Sequence, residues 1–360
     1  MAAVRIALRI YYDSDVEKIL DADRNLPKPY LIFDRERHEL WKQIKLEVVE
    51  KLSSFLPTLL RTRVARLIEA MHLEAELWIK DHNKLLYLCS TCFCPRHKST
   101  FCWKTDGSIN RIETAKKFAQ NKNIDPNTLF IMACTYFLED EVLALWHGNK
   151  RISTNSIIRK GTNSAVRFWM KWLKKGSVKP WRLMVDDYFR IPCIRRSDIR
   201  LRLGCIFPYL SQESRKNYFQ YLKDLHKDDF RVCLYEMDGT ERRELFERIP
   251  VYVLYNCLKW PFQTSFIGIA NQLWSHMTFD DFDAITYRIL IFKILRGLKD
   301  FDYVQLLKEF WHLSPSSFKE EMKMQENYFK MIEIILNYDR DNQILPLEEI
   351  LDEYIRIYDP

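Results

Sequence analysis

Only eight glycines occur in 360 residues, where average usage would place about 25. Glycine supplies the positive φ of tight hairpin turns and lets a backbone approach a phosphate closely. Its scarcity excludes most phosphate-cradling loops and argues against a glycine-punctuated all-β fold. The same chain carries ten Trp, eighteen Tyr and twenty-two Phe, with 47% hydrophobic and 29% charged residues. That composition suits a folded chain with a sizeable core and not a disordered one.

Apolar residues recur at i, i+3, i+4 and i+7 along most of the length, which is the helical period. Val48, Leu52, Phe55, Leu56, Leu59 and Leu60 mark one such face. Val64, Leu67, Ile68 and Met71 mark the next, and Leu73, Leu77 and Ile79 continue it. Strand-like alternation beyond five residues is scarce, so the chain reads as all-α.

A pattern of apolar helix, polar cap and second amphipathic helix recurs. It runs through 205–211 with Glu213 following, through 272–278 with Asp280 and Asp281, and through 310–314 with Pro315. An earlier copy spans 133–138, with Glu139 and Asp140 opening the second helix. Ser177 and Thr240 fill the gaps. Cap oxygens satisfy helix-start amides, and acids suit the positive end of the dipole. The caps lie about 29–38 residues apart, the length of helix-pair repeats. We therefore expect a degenerate helix-pair, ankyrin-like repeat solenoid with an N-terminal helical cap. The expected domain limits are 1–100 for the N-terminal helical region and 101–360 for the array. The T-P-L-H run and turn glycines of consensus ankyrin repeats are missing, and an irregular α-helical globule is the other reading.

The segment Cys102-Trp103-Lys104-Thr105-Asp106-Gly107-Ser108-Ile109-Asn110-Arg111-Ile112-Glu113-Thr114-Ala115 is followed by Ala133-Cys134-Thr135-Tyr136-Phe137-Leu138-Glu139-Asp140-Glu141-Val142 and Leu145-Trp146. Over about 45 residues this resembles a large, lineage-expanded family of uncharacterised spider proteins. The resemblance implies helix pairs in ankyrin-like succession and no catalytic or ligand residues. The residues read the same way directly: Ser108 is placed to cap a helix carrying Ile112 and Ala115, and 133–138 forms an inner helix.

Cys89, Cys92, His97 and Cys102 have the C-x2-C-x4-H-x4-C spacing of a zinc knuckle, with two thiolates close enough in sequence to share one ion. Basic and aromatic neighbours such as Arg96, Lys98, Phe101 and Trp103 suit single-stranded nucleic acid. Against zinc, Phe93 and Arg96 stand where such knuckles carry glycine, and Cys94 has no part in a four-ligand site. Burial of small apolar thiols is the alternative.

Charge is unevenly laid out. Residues 1–149 carry 22 basic and 20 acidic side chains, residues 150–202 carry 15 and 3, and residues 203–360 carry 19 and 26. The middle block interleaves Lys171, Lys174, Lys175, Arg195 and Arg196 with Trp169 and Trp172. Such density suits an acidic protein segment, a phosphate backbone or anionic lipid. The competing reading is a block that faces the acidic C-terminal half or is merely solvated. If it binds, Trp169, Trp172, Arg195 and Arg196 should share one exposed surface.

No G-x-S-x-G, G-x-G-x-x-G or H-E-x-x-H motif occurs. Asp280, Asp281 and Asp283 read as helix-start acids, and His147, His226, His276 and His312 as isolated helical residues. Cys134 and Cys205 read as packed thiols. The nine scattered cysteines point to a reducing, intracellular setting, and the N-terminus lacks a secretory pattern. No run is long and apolar enough for a membrane span. The sequence thus leads to a non-enzymatic intracellular protein-interaction scaffold with an acidic partner and no cofactor. The alternative is a zinc-dependent nucleic-acid binder.

Overall fold

The computed structural model describes residues 2–25, 35–87, 101–148, 152–155, 157, 163–192, 199–298, 300–339 and 345–358. Among them the chain is all-helical, 75% helix in 19 α-helices with no strands. An isolated antiparallel bridge joins Trp103 to Ile109. No described helix is long and apolar enough to cross a membrane. The chain forms two compact units, residues 1–72 with 249–360, and residues 73–248.

The first unit begins with α1 (Ala2–Tyr11), α2 (Ser14–Asn25), α3 (Arg35–Lys51) and the opening turns of α4 (Thr58–Tyr87), the helix in which the first unit's N-terminal segment ends. α2 packs on α3. Lys51 Nζ lies 3.2 Å from Asp13 and 3.0 Å from Asp15, so the cation at the end of α3 meets the acids that open α2.

The second unit contains α5 (Arg111–Ala119), α6 (Pro126–Thr135), α7 (Glu139–His147), α8 (Ser164–Lys174), α9 (Val185–Phe189), α10 (Gln212–Lys216), α11 (Lys227–Glu236) and α12 (Gly239–Arg248). α6 is its buried axis. Asp125 caps it from a position preceding Pro126, accepting from the Thr128 amide at 2.9 Å. Every residue from Thr128 to Thr135 is buried. Asn163 caps α8 through Oδ1 while its Nδ2 donates to Thr135 Oγ1 at 3.0 Å, which ties α8 to α6.

α6 ends in an unusual residue. Phe137 has φ 53, and the Leu138 amide reaches back to the Ala133 carbonyl at 3.0 Å. This is the left-handed helix terminus that glycine normally occupies. The phenyl ring explains the exception. It packs at ring-centroid distances of 5.4 to 5.8 Å on Phe168, Trp169 and Trp181.

The chain then returns to the first unit through α13 (Pro250–Cys257), α14 (Phe266–Leu273), α15 (Phe279–Ile289), α16 (Tyr303–Leu313), α17 (Ser316–Met324), α18 (Glu326–Asn337) and α19 (Leu347–Tyr358). α15 runs on into a π-helical segment, Leu290–Leu295. Phe266, Trp274 and Phe282 each lie 5.0 to 5.3 Å from the ring of Phe310, and form the aromatic centre of this segment.

Several expected caps are in place. Ser211 accepts from the Ser214 amide, and Thr278 forms a capping box with Asp281. Glu139, Asp140 and Glu141 occupy the first turn of α7. Others differ. Asn110, not Ser108, caps α5, and Ile112 on that helix is exposed. Asp238 rather than Thr240 caps α12, in reciprocal hydrogen bonds with Glu241. Ser314 closes α16 by donating to the Trp311 carbonyl instead of opening α17.

Two larger expectations also meet a different arrangement. The compact units divide at 72/73 and 248/249 rather than at 100/101. Arg66 of α4 lines a small cavity with Ile294, Tyr303 and Tyr338, so the N-terminal helices share an environment with the C-terminal segment. Helical periodicity is local and does not report which distant segments share a core. Likewise Val48, Leu52, Val64, Leu67, Ile68 and Met71 are buried as read, whereas Phe55, Leu59 and Leu60 are exposed.

Candidate functional site

α8 sorts its residues by face. Phe168, Trp169, Trp172 and Leu173 are buried, and Lys171, Lys174 and Lys175 stand in solvent. The helix ends at Gly176 (φ 77) and Ser177 (φ 55), where the Ser177 amide bonds the Trp172 carbonyl at 3.3 Å. Trp172 Nε1 donates to the Lys179 carbonyl at 2.7 Å and fixes the departing loop. Trp181 then anchors a 3-10 turn (Trp181–Met184) by donating to Glu139 Oε2 at 2.8 Å. Arg182 lies over the Trp181 ring, 5.2 Å from its centroid. Lys171, Lys174, Lys175, Lys179, Arg182, Arg190 and Arg200 are exposed. Among the described residues no ion pair engages Lys171, Lys174, Lys175 or Lys179, while Arg190 pairs with Asp187 at 3.5 Å.

Trp169 and Trp172 therefore do not share the exposed surface expected of them. Their spacing with Phe168 and Leu173 puts both rings on the core side of an amphipathic helix, where they pack edge-on at 5.3 Å. Arg195 and Arg196 lie outside the described residues. So do Cys89, Cys92 and His97 of the knuckle spacing. Its fourth member, Cys102, is half-buried; its amide donates to Thr114 Oγ1 at 3.0 Å, and its carbonyl accepts from Asn110. Among the described residues no group of three or more His, Cys, Asp or Glu side chains could hold a metal ion.

Within the same unit lies a buried charge network that the sequence reading missed. Arg111 of α5 pairs with Asp81 of α4 at 2.9 Å and with Asp228 of α11 at 3.3 Å. Arg202, a member of the basic block, turns inward to Asp81 at 3.6 Å and Asp229 at 3.4 Å. For Arg202 the block does face acids of its own molecule. Lys104 reaches Asp228 at 3.5 Å, and Lys227 is wholly buried against Glu74. His226, expected to stand alone, caps α11 by accepting from the Asp228 amide and lies 2.6 Å from Arg111 Nη2. The only sequence signal for this network was the run of ionisable residues 226–229, which resembled an ordinary acidic helix start.

Beside the network, His82 bonds the Trp78 carbonyl through Nδ1 at 2.7 Å and Tyr136 Oη through Nε2 at 2.9 Å. Burial, then the charges of Arg202 and Arg111, hold its pKa well below the usual histidine value. Burial raises the pKa of Asp229, against the pull of Arg202. Burial also pushes the thiols of Cys134, Cys205 and Cys233 up, and that of Cys257 to about 12. These thiols stay protonated at neutral pH and pack as small apolar groups. The four acids Glu74, Asp81, Asp228 and Asp229 are matched by Lys104, Arg111, Arg202 and Lys227. The arrangement is thus balanced in charge and clamps α4, α5 and α11, while Glu74 Oε2 and Arg202 Nε within it are buried without a hydrogen-bond partner among the described residues.

Compared with protein-family models, curated proteins and solved structures, the chain shows no significant match.

Proposed function

We propose that the chain is a non-enzymatic intracellular interaction scaffold, built as a divergent helix-pair array, that docks an acidic protein segment on the cationic face of α8. The observation that carries this reading is the solvent-facing set Lys171, Lys174, Lys175 and Lys179, which no described acid neutralises. A helix whose aromatic half is locked into the core holds its lysines at fixed spacing, which lowers the ordering penalty of binding. Successive helices that pack on each other, such as α5 on α6 and α6 on α7, support the array. Solenoids leave an extended face for recognition.

The nucleic-acid alternative loses Trp169 and Trp172 as a stacking platform, since both face the core, and rests on the lysines and on the knuckle spacing Cys89, Cys92, His97 and Cys102. Fluorescence titration of the full chain with labelled poly-glutamate and with single-stranded RNA separates the two. The scaffold reading expects poly-glutamate to bind and Lys174→Glu with Lys175→Glu to weaken it roughly tenfold or more, at about one kcal/mol per rim charge. It also expects no stoichiometric metal on elemental analysis. About one zinc per chain, lost in Cys92→Ser, together with tighter RNA binding, would overturn it in favour of the knuckle.

A further inference from the structure

The turn between α3 and α4 presents apolar side chains where the helical pattern had placed core. Phe55 is 65% exposed, Leu59 86% and Leu60 43%, while Leu52 at the foot of the turn is buried. The tip is held in shape. The Arg61 guanidinium donates to the Leu56 carbonyl at 2.5 Å and to the Ser53 carbonyl at 2.8 Å, bracing the turn from beneath. Behind the tip, Arg63 and Arg66 are exposed on the stripe that begins with Leu59, at i+4 and i+7. The first acid of α4 is Glu69, which is buried. No described acid pairs with Arg63 or Arg66.

We infer that this tip is an interfacial anchor for an anionic lipid surface. Its chemistry is that of a monotopic attachment site, aliphatic and aromatic side chains at the extremity and cations one to two turns behind. Arg63 and Arg66 lie about 6 and 10 Å along the helix axis from Leu59, at the helical rise of 1.5 Å per residue. That offset matches the step from acyl chains to headgroups. Apolar side chains this exposed, Leu59 at 86% and Phe55 at 65%, suit a fluid apolar medium that shapes itself around them. The positive end of the α4 dipole and the acid-free run of three arginines favour a negative target. The inference does not rest on the cationic face of α8.

Sedimentation of the full chain with vesicles tests it, using phosphatidylcholine alone and phosphatidylcholine with 30% phosphatidylserine, at about 0.1 M salt. Binding is expected to the anionic vesicles and not to the neutral ones. Leu59→Ser with Leu60→Ser should reduce it roughly tenfold or more, and Arg63→Ala with Arg66→Ala roughly thirtyfold. Both pairs are exposed, and an unchanged melting curve confirms folding. Lys174→Glu with Lys175→Glu should leave it intact. Vesicle binding indifferent to the leucine pair, or abolished only by the α8 pair, overturns the inference. So does a concentration-dependent dimer on light scattering that the leucine pair dissolves, because the tip would then cover a second copy of the chain.

Discussion

Tyr136 donates its hydroxyl to Nε2 of His82 across 2.9 Å in the buried core of the second unit, and the opposite ring nitrogen, Nδ1, donates to the Trp78 carbonyl. The two rings also stack, with centroids 5.7 Å apart. One hydrogen bond asks the imidazole to accept and the other asks it to donate, so the pair specifies a single neutral tautomer. Arg202 lies over the Tyr136 ring at 5.3 Å, and its charge adds to burial in opposing a second proton on His82.

Stability should therefore fall on mild acidification. The His82 pKa is depressed in the folded state below its ordinary 6.5, so below that pH the unfolded chain binds a proton that the native chain refuses. Stability is fully present above about pH 6.5 and is lost as pH falls from there towards the folded pKa, at up to about 1.4 kcal/mol per pH unit. Urea titrations at pH 7.5, 6.5 and 5.5 measure this slope. His82→Gln should flatten it; an unchanged slope in that variant would assign the acid sensitivity elsewhere.

Lys227 and Glu74 form the most buried ion pair of the network, each side chain 2% exposed. Removing the cation strands the Glu74 carboxylate in the interior, so Lys227→Met alone should destabilise by about 3–5 kcal/mol. Replacing both, Glu74→Leu with Lys227→Met, should recover a large part of that loss. A double-mutant cycle on chemical denaturation gives the coupling directly, and additive single effects would contradict it.

Phe137 carries two opposed effects, a favourable aromatic cluster and an unfavourable positive φ. Phe137→Ala and Phe137→Gly both lose the ring and should destabilise by about 3–5 kcal/mol. Glycine alone also relieves the backbone. Phe137→Gly should thus be the milder change by about 1 kcal/mol, reversing the usual order of alanine and glycine. Thermal melts of the two variants decide the point.

The start of α12 offers a paired control. Asp238 accepts from the amides of Thr240 and Glu241, both at 2.8 Å, and Glu241 returns a bond to the Asp238 amide. Asp238→Ala should destabilise by about 1 kcal/mol and Thr240→Ala by less than about 0.5. Equal losses in denaturant midpoint would return the cap to Thr240.

The sequence alone determined the helical class, because glycine scarcity and the 3.6-residue period act within single segments. It also determined local endings where a side chain reaches an amide two or three residues away, as at Ser211 and Thr278. The inner helix read at 133–138 was legible only in part: the segment is buried, but α6 runs Pro126–Thr135 and residues 136–138 form the turn that ends it, because Phe137 takes a positive φ that no helical period reports. The candidate surface was half legible: its lysines stand in solvent as read, but the partition of Trp169 and Trp172 from Lys171 and Lys174 follows from which face of α8 meets Phe137. Only the tertiary structure decided that residues 1–72 join 249–360, that Phe55 and Leu59 stay outside the core, and that Arg202 leaves the basic block to pair with Asp81 and Asp229. Asp81 and Asp229 lie 121 and 27 residues from Arg202, Asp81 far beyond any helical period. Their pairing is favoured because a buried charge left without a partner costs about 3–5 kcal/mol, a large share of a protein's net stability.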